Sequence, residues 1–161
     1  MQVNSSIRIM TQADLASVTE LAQSVDPYAW NTEQFRGCLL GAHYRNWVLD
    51  QAGKIVGFLI VIALEDEYEL VNIAIAKSEQ HQGLGKKLLA HLFQECHEHP
   101  VATIWLEVRE GNFPAVQLYK KSGFIQTGIR RDYYPTKTGR EHACVMQYRF
   151  KDASTTLNQC Q

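Results

Sequence analysis

The sequence predicts a single α/β domain in which a mixed, mostly antiparallel sheet is flanked by about four helices. Three observations favour this fold class. Short turns join several runs rich in β-branched and aromatic residues, leucine-rich segments repeat at helical spacing, and no Pro-, Gly- or Ser-rich linker divides the 161 residues. We expect the domain to cover residues 1–150. Residues 151–161, which are rich in Ser, Thr, Asn and Gln, are expected to form a flexible tail.

The first third of the chain predicts a strand followed by two helices. Ile7–Met10 is a short apolar run that is typical of a strand. Thr11 and Asp14 have the spacing of a helix start, and apolar residues then recur at helical spacing from Leu15 to Val25. Asn31 is placed to cap a second, shorter helix.

The rest of the chain alternates between strand and helix periodicity, so the predicted order of elements is β-α-α-β-β-β-α-β-α-β-β. Strands are predicted over residues 47–49, 55–64, 68–76, 103–108, 124–133 and 143–150, and helices over residues 84–96 and 113–122. Asn112 and Pro114 are typical of the start of the last helix, and Gly123 is typical of its end. Pro135–Gly139 is expected to form the turn region between the last two strands.

Composition and charge exclude several classes of protein. Sixteen Lys and Arg residues against seventeen Asp and Glu leave a net charge of −1, so the chain lacks the basic surplus of many nucleic-acid-binding proteins. No apolar run approaches the roughly 18 residues that a membrane span needs, and no secretory signal is visible. The four cysteines form no CxxC pair, and the six histidines have no metal-binding spacing. We therefore expect a cytoplasmic protein without a metal and without direct nucleic-acid or membrane partners.

The sharpest local signal is the segment Gln80–Lys87, with the sequence QHQGLGKK, between a predicted strand and a predicted helix. Glycines at such a junction allow the backbone to approach a ligand closely, and the free N–H groups of the first helical turn favour an anion. The segment fits neither the Walker loop GxxxxGK[ST] nor the dinucleotide fingerprint GxGxxG, because Gln80 and Leu88 stand where these patterns need glycine. The alternative is an ordinary turn before a positively charged first helical turn.

Several segments around this loop occur in the order and spacing of one enzyme family. They are Asn72–Ile75, Gln80–Gly85, Leu106–Arg109, Asn112 and Leu118–Phe124. Through these segments the chain resembles the GNAT superfamily of acetyl-CoA-dependent N-acetyltransferases over nearly its whole length. Ile129–Thr136 and Gly139–Glu141 are more specifically similar to the RimI-type branch, which acetylates the N-terminal alanine of a small-subunit ribosomal protein. The resemblance implies the GNAT fold, acetyl-CoA as co-substrate and the N-terminal peptide of a ribosomal protein as partner.

The resemblance also implies which residues bind the coenzyme. Backbone amides of the loop would hold the pyrophosphate, and the preceding strand would lie along the pantetheine arm. The implied coenzyme-binding residues are Ile73, Ala74, Ile75, His81, Gln82, Gly83, Leu84, Gly85, Lys86 and Asn112. Asn112 has an alternative role, because an Asn before Phe113 and Pro114 is also a good helix cap.

Glu107 and Tyr119 match the proton acceptor and the proton donor of RimI-type enzymes. Glu107 lies in an apolar strand where a carboxylate is out of place, and its alternative roles are an edge-strand charge or an ion pair with Arg109. Tyr119 lies on the following helix and could instead be a packing residue. With a tyrosine pKa of about 10 and a thiol pKa of about 8.5, complete proton transfer would be uphill by about 2 kcal/mol. A hydrogen bond that strengthens as the sulfur becomes negative is still useful, so Tyr119 can act as the general acid without needing a large pKa shift.

The residues that bind the acceptor are less sharply indicated. The resemblance implies that Arg131, Tyr133 and Tyr134 border the acceptor cleft, although the two tyrosines could instead belong to the sheet. The acidic segment Glu65–Glu69 could attract a basic peptide, or it could be a solvated hairpin turn.

Two other functions are compatible with the same fold. The acceptor could be a lysine or a small-molecule amine, or the protein could be a non-catalytic acetyl-CoA-binding module. A binding module needs the loop but not an acid–base pair, so the presence of Glu107 and Tyr119 favours an enzyme.

Overall fold

The computed structural model describes residues 4–151. Within this range, helices and strands follow one another in the predicted order. They are β1 (Ser5–Ile9), α1 (Leu15–Val25), α2 (Thr32–Leu40), β2 (Tyr44–Gln51), β3 (Lys54–Ala63), β4 (Glu67–Ile75), α3 (Leu84–Glu98), β5 (Thr103–Arg109), α4 (Phe113–Lys121), β6 (Ile125–Thr136) and β7 (Gly139–Arg149). The expected tail over residues 151–161 lies, except for Lys151, outside the described residues. No helix in the described part of the chain is long and apolar enough to cross a membrane.

The seven strands belong to one mixed sheet in the order β1-β2-β3-β4-β5-β7-β6, which confirms the predicted fold class. β1 pairs with β2, β2 with β3, β5 with β7 and β6 with β7, all in antiparallel register. Contacts along the chain separate two compact units. The first comprises the chain up to Ala63 together with Leu70–Glu95, and the second comprises Leu64–Glu69 and the chain from Cys96 onward. That residues 1–150 form a single domain stays a prediction.

In the first unit, helices pack on both faces of β2. On one face, Phe35 of α2 packs edge-on against Phe58 of β3, with ring centroids 5.3 Å apart. Val48 of β2 belongs to the same buried cluster. On the other face, Trp47 of β2 packs against His91 of α3, with ring centroids 4.9 Å apart. Because adjacent strand residues point to opposite faces, this arrangement fixes α3 on the face away from α1 and α2.

In the second unit, α4 packs on an apolar face formed by β5 and β7. Leu106 lies opposite Met146 in the β5–β7 register, and both side chains are buried. The ring of Tyr119 on α4 lies 5.7 Å from that of Phe124, which in turn lies 5.8 Å from the ring of Tyr148 on β7. These aromatic contacts fix the position of α4 against the two strands.

The other face of β5 carries polar side chains. Burial alternates along the strand, so that Leu106 and Val108 are buried while Glu107 and Arg109 are partly exposed. Because residues two apart on a strand share a face, Glu107 and Arg109 point to the same side. β5 lies inside the sheet, between β4 and β7, so the interpretation of Glu107 as an edge-strand charge is wrong.

The last hairpin has a tighter turn than predicted. In place of a turn region over Pro135–Gly139, β6 continues to Thr136 and β7 begins at Gly139. Pro135 is tolerated within β6 because this strand lies at the end of the sheet. There, a missing N–H need not remove a hydrogen bond from the ladder.

A 3₁₀ turn over Gln12–Asp14 leads into α1, and it confirms the predicted helix start at Thr11 and Asp14 and adds an ion pair. The Asp14 carboxylate accepts a hydrogen bond from the Thr11 N–H at 2.8 Å. It also accepts two hydrogen bonds, each 2.9 Å long, from the guanidinium of Arg8 on β1. Because these bonds favour the charged form, Arg8 lowers the pKa of Asp14 to about 2, against the opposing effect of burial.

Replacing the Asp14 carboxylate with an amide should therefore destabilise the protein in a pH-dependent way. An aspartate in an unfolded chain has a pKa of about 3.9, which is higher than that of Asp14 in the folded protein. The charged Asp14 therefore stabilises the fold fully above about pH 4. This stabilisation is lost as the pH falls toward about 2. We expect Asp14→Asn to lower the free energy of unfolding by about 2 kcal/mol at neutral pH. Urea unfolding between about pH 7 and pH 2 measures this difference.

The matched control is Glu20→Gln, which removes an exposed carboxylate from α1. This substitution should leave the free energy of unfolding within about 0.5 kcal/mol of wild type. A loss of stability in Asp14→Asn that stays constant down to about pH 2 would show that the ion pair with Arg8 is not its cause.

Candidate active site

The loop after β4 contains two residues with a left-handed backbone. His81 has a φ of +64° and Gly83 a φ of +79°. The side-chain amide of Gln80 donates to the carbonyl of Ile75 at 3.0 Å, which holds the loop to the end of β4. The Lys87 N–H donates to the carbonyl of Gly83 at 3.0 Å, so Gly83 is the residue from which α3 begins.

The residue directly before α3 is the glycine Gly83. Asn31 and Asn112 accept hydrogen bonds from backbone N–H groups at the starts of α2 and α4, whereas Gly83 has no side chain that could do so. The first N–H groups of α3 are therefore available to an anion. A Cβ atom added at Gly83 would meet no other atom within 4 Å, so the backbone is open to close approach. This donor set fits a pyrophosphate group.

The two lysines after the loop are placed differently. The ammonium of Lys87 donates to the carbonyl and the hydroxyl of Ser5 at 2.8 Å and 2.7 Å, so its charge is directed toward β1. The side chain of Lys86 is exposed. Lys86 is therefore the lysine whose charge can add to the attraction of an anion at the start of α3.

The remaining residues implied in coenzyme binding lie on β4 and before α4. Ile73–Ile75 is half-buried at the end of β4. β3 packs closely on this segment at Gly57, where a Cβ atom would lie 2.7 Å from Ile75 Cδ1. Asn112 accepts a hydrogen bond from the Ala115 N–H at 3.4 Å, which confirms its role as a helix cap. The contact of these residues with a coenzyme stays a prediction.

Glu107 lies at the centre of a polar cluster in the second unit. Its side chain is 11% exposed, and its Oε1 atom lies 2.7 Å from Nε of Arg130 on β6. Tyr133, also on β6, is hydrogen-bonded to the same carboxylate, whose negative charge raises the pKa of this tyrosine. The alternative of an ion pair with Arg109 is wrong, because the partner of Glu107 is Arg130.

A bulge in β6 shapes this cluster. Between its pairings with Ala143 and Glu141 of β7, β6 has the three residues 131–133 where β7 has only His142. Asp132, in the middle of the three, has a φ of +50°. Its N–H donates to Nδ1 of His142 at 2.9 Å, so β7 holds the bulge in place.

The bulge brings two adjacent tyrosines to one face, whereas neighbours on a regular strand point to opposite faces. Tyr133 contacts Glu107, while the guanidinium carbon of Arg109 lies 4.4 Å from the ring centre of Tyr134. The two tyrosine rings meet edge to face, with centroids 4.9 Å apart. Both tyrosines therefore belong to the sheet and also border Glu107. Arg131 is exposed, and its contact with an acceptor, like that of the tyrosines, stays a prediction.

A second ion pair supports Tyr134. Nη1 of Arg109 lies 3.5 Å from Oε2 of Glu141, and it also donates to the carbonyl of Pro135 at 3.2 Å. The other carboxylate oxygen of Glu141 accepts a hydrogen bond from the Gly111 N–H at 2.7 Å, which joins the last hairpin to the turn before α4. Burial, and then the negative charge of Glu107, raise the pKa of Tyr134 to about 12.

Tyr119 is buried in α4, with 4% of its surface exposed. Burial, and then the neighbouring Tyr134, raise its pKa well above the usual range. Glu107 does not contribute to this shift, so Tyr134 is the electrostatic neighbour that Glu107 and Tyr119 share. The pKa of Tyr119 is therefore shifted upward, although its expected role does not require a shift. The Tyr119 hydroxyl holds its proton firmly, so it is better suited to donating a hydrogen bond than to losing the proton completely.

The acidic segment Glu65–Glu69 divides into two parts. Its first three acidic residues are exposed, as expected of a solvated turn, but Glu69 on β4 is half-buried. Burial, and then the charge of Glu107, raise the pKa of Glu69, while the charge of Arg130 opposes the shift. Glu69 is therefore a neighbour of Glu107 and Arg130, which the sequence did not indicate because Glu69 is close in the chain to the turn residues.

The buried cysteines are poor candidates for a nucleophile. Cys38, Cys96 and Cys144 are buried, and Cys160 lies outside the described residues. Burial raises the pKa of Cys38 to about 11 and shifts that of Cys144 in the same direction. A raised pKa disfavours the thiolate that covalent catalysis requires.

Comparison with known proteins identifies relatives of the chain. The profile of the acetyltransferase (GNAT) family matches residues 13–124. The ribosomal protein bS18-alanine N-acetyltransferase of Escherichia coli (strain K12) is 40% identical over 142 residues, which cover 88% of this chain and 95% of the relative. The protein of the same name from Haemophilus influenzae is 38% identical over 143 residues, which cover 88% of this chain and 97% of the relative. The crystal structure of the E. coli ribosomal-protein-S18-alanine N-acetyltransferase has a TM-score of 0.87 and 39% identity, covering 93% of this chain and 96% of that chain.

Proposed function

Because the chain belongs to the GNAT acetyltransferase family, whose members use acetyl-CoA, we propose that it acetylates the N-terminal alanine of a small-subunit ribosomal protein. The likeness to bS18-alanine N-acetyltransferases, which extends over nearly the full length of both chains, supports this acceptor. The amine would attack the thioester of acetyl-CoA directly in a ternary complex. The raised pKa values of the buried thiols support a reaction without a covalent enzyme intermediate.

The energetics of deprotonation also favour an α-amine as acceptor. An amine must be neutral to attack a thioester, and an α-amine with a pKa of about 7.7–8.0 is neutral in roughly a tenth to a sixth of molecules at pH 7. A lysine with a pKa of about 10.4 is neutral in only about one molecule in 2,500. At about 1.36 kcal/mol per pKa unit, the α-amine is easier to neutralise by roughly 3.3–3.7 kcal/mol. A single carboxylate is therefore an adequate base.

We assign the role of base to Glu107 and the role of proton donor to Tyr119. Glu107 would accept the proton of the α-amine, directly or through a water molecule, as the amine attacks. Tyr119 would donate a hydrogen bond to the sulfur of the leaving thiolate. Its raised pKa supports a bond that strengthens as the sulfur becomes negative, without full transfer of the proton.

We assign coenzyme binding to the start of α3 and the end of β4. The N–H groups after Gly83 and the ammonium of Lys86 would hold the pyrophosphate. Main-chain groups of Ile73–Ile75 would hydrogen-bond to the amides of the pantetheine arm. Bound acetyl-CoA supplies the activated acetyl group, and the protein supplies orientation and charge.

Replacing Gly83 should weaken acetyl-CoA binding. In Gly83→Val, a branched side chain would occupy the open space above the backbone and would resist the φ of +79°. We expect the dissociation constant of acetyl-CoA, measured by calorimetry, to rise about tenfold or more.

A matched control is Gly53→Val in the turn between β2 and β3. Gly53 has a φ of +87° and an equally open Cβ position, so the substitution imposes similar backbone strain away from the loop. The affinity of the Gly53→Val variant for acetyl-CoA should stay within about twofold of wild type. Unchanged affinity in folded Gly83→Val would refute the assignment of the loop.

The acceptor is tested with a peptide that begins Ala-Arg and also contains lysine. With acetyl-CoA and the enzyme, tandem mass spectrometry should find the acetyl group on the α-amine. The same peptide with its α-amine blocked should remain unmodified despite its lysines. If the acetyl groups are found mainly on lysine, or if a polyamine is acetylated and neither peptide is, the proposed acceptor is wrong. The family assignment would remain in place.

A cytoplasmic location suits this acceptor, because ribosomal proteins are synthesised in the cytoplasm. The buried thiols of Cys38 and Cys144, which form no disulfide, also support a reducing compartment. We therefore propose that the protein acts on its acceptor in the cytoplasm.

A further inference from the structure

The carboxylate assigned as the base already has two donors in the absence of an acceptor. Arg130 forms a 2.7 Å ion pair with Glu107, and Tyr133 is hydrogen-bonded to the same carboxylate. Both donors come from the bulged part of β6, and the Arg130 guanidinium carbon lies 5.4 Å from the ring centre of Tyr133. To take a proton from an amine, Glu107 must give up at least one of these contacts.

The two members of the ion pair differ strongly in exposure. The side chain of Arg130 is 53% exposed, whereas that of Glu107 is 11% exposed. An exposed arginine loses little free energy when it exchanges an ion pair for water. A buried carboxylate without a partner is costly. Arg130 can therefore leave easily, provided that another cation replaces it.

Glu69 increases the need for a replacement cation. Its half-buried carboxylate interacts with both Glu107 and Arg130, so one arginine serves two neighbouring carboxylates. If Arg130 left alone, two negative charges would remain close together in a partly dry environment. An ammonium group has the charge and the three N–H donors needed to compensate them.

We propose that Arg130 is an exchangeable counter-ion, which occupies the place of the acceptor's ammonium in the free enzyme and is displaced by it. This inference rests on the proposed function, since it takes Glu107 as the group that receives the α-amine. The acceptor enters as the cation and replaces the guanidinium. It loses its proton to Glu107 and is then acetylated.

The exchange would also favour release of the product. The acetylated N-terminus is a neutral amide, so it cannot compensate the charge of the carboxylates as an ammonium does. Arg130 can then return to Glu107. The carboxylates therefore prefer the cationic acceptor to the neutral product, and Arg130 restores the charge balance after acetylation without contacting the acceptor.

The test compares two peptides that bind to the enzyme loaded with CoA, which has no acetyl group to transfer. One peptide begins with Ala-Arg, and the other carries a propionyl group in place of the alanine, so that a hydrogen atom replaces the ammonium. In Arg130→Gln, the ammonium no longer competes with the guanidinium. We expect the Ala-Arg peptide to bind to Arg130→Gln about tenfold more tightly than to wild type. The affinity for the propionyl peptide should stay within about twofold.

Three further variants keep the test specific. Arg130→Lys retains the positive charge and should bind both peptides like wild type. Arg149→Gln removes an exposed arginine at the far end of β7 and controls for the change in net charge. In a Glu107→Gln background, adding Arg130→Gln should change the affinity for the Ala-Arg peptide by less than about twofold, because Arg130 acts through Glu107.

The wild-type protein gives an independent measurement. In nitrogen-15 NMR spectra, the Nε–H signal of Arg130 should shift when the Ala-Arg peptide is added and stay unchanged with the propionyl peptide. If Arg130→Gln weakens binding of both peptides equally, Arg130 contacts the acceptor and the exchange is refuted. If wild-type enzyme fails to acetylate the Ala-Arg peptide, the proposed function itself is refuted.

Discussion

Glu107→Gln should lower kcat for acetylation of the Ala-Arg peptide by about a hundredfold or more at pH 7, because glutamine cannot accept the proton of the amine. The substitution keeps the size of the side chain and an oxygen that can accept the hydrogen bond of Tyr133. The defect should shrink above about pH 8, where the α-amine, with a pKa of about 7.7–8.0, loses its proton without a base. Steady-state rates between about pH 6.5 and 9.5 measure both effects.

The control for this substitution is Glu110→Gln. Glu110 is an exposed carboxylate immediately after β5, so its removal changes the net charge equally but leaves the Glu107 cluster intact. We expect its kcat to stay within about twofold of wild type. A Glu107→Gln enzyme that keeps at least about a third of wild-type kcat at pH 7 would show that Glu107 is a structural partner of Arg130 and not the base.

Tyr119→Phe should also lower kcat by about a hundredfold, with the affinity for acetyl-CoA changed by less than about twofold. The hydroxyl is needed when negative charge develops on the leaving sulfur, so its removal affects the transition state more than the bound ground state. The raised pKa of Tyr119 sharpens this expectation, because its hydroxyl stays protonated throughout the working pH range. Single-turnover kinetics should be used, so that acetyl transfer is measured apart from product release.

Tyr148→Phe provides the matched control in the same aromatic cluster. Tyr148 contacts Phe124, as Tyr119 does, but it lies on β7 and has no assigned part in the reaction. Both variants should melt at similar temperatures if the hydroxyls contribute little to packing. If the rate constant of Tyr119→Phe stays within about twofold of wild type, Tyr119 is a packing residue.

Local signals in the sequence were enough to predict most of the fold. Asn31 and Asn112 were expected to cap helices, and both do so through their side-chain oxygens. Gly83 was expected at a junction between a strand and a helix, and it lies directly before α3, with a positive φ. These features depend on neighbours within a few residues, so their chemistry can be read from the sequence directly.

The partners of Glu107 could not be predicted in this way. A carboxylate in an apolar strand indicates that a cation must be near, and Arg109 was the closest candidate in the chain. The actual partner, Arg130, is on another strand, and its position depends on the register of β6 and β7. Glu69 was missed for the same reason, since its place beside Glu107 comes from tertiary structure.

The pKa of Tyr119 also depends on tertiary structure. The sequence identifies a tyrosine on a helix but does not show whether its hydroxyl lies in water or among apolar side chains. Burial is the main cause of the raised pKa. The protonation behaviour of Tyr119 therefore could not be predicted from the sequence, and its chemical role stays a prediction.

The bulge of β6 has a consequence for how related enzymes can diverge. It adds two residues to β6, and because side-chain direction in a strand alternates with a period of two, Arg130 and Tyr134 remain in phase. Residues 131–133 can therefore vary in sequence while the pairings on either side persist. On the proposed function, new acceptor preferences would arise in this short segment without rebuilding the sheet that holds Glu107.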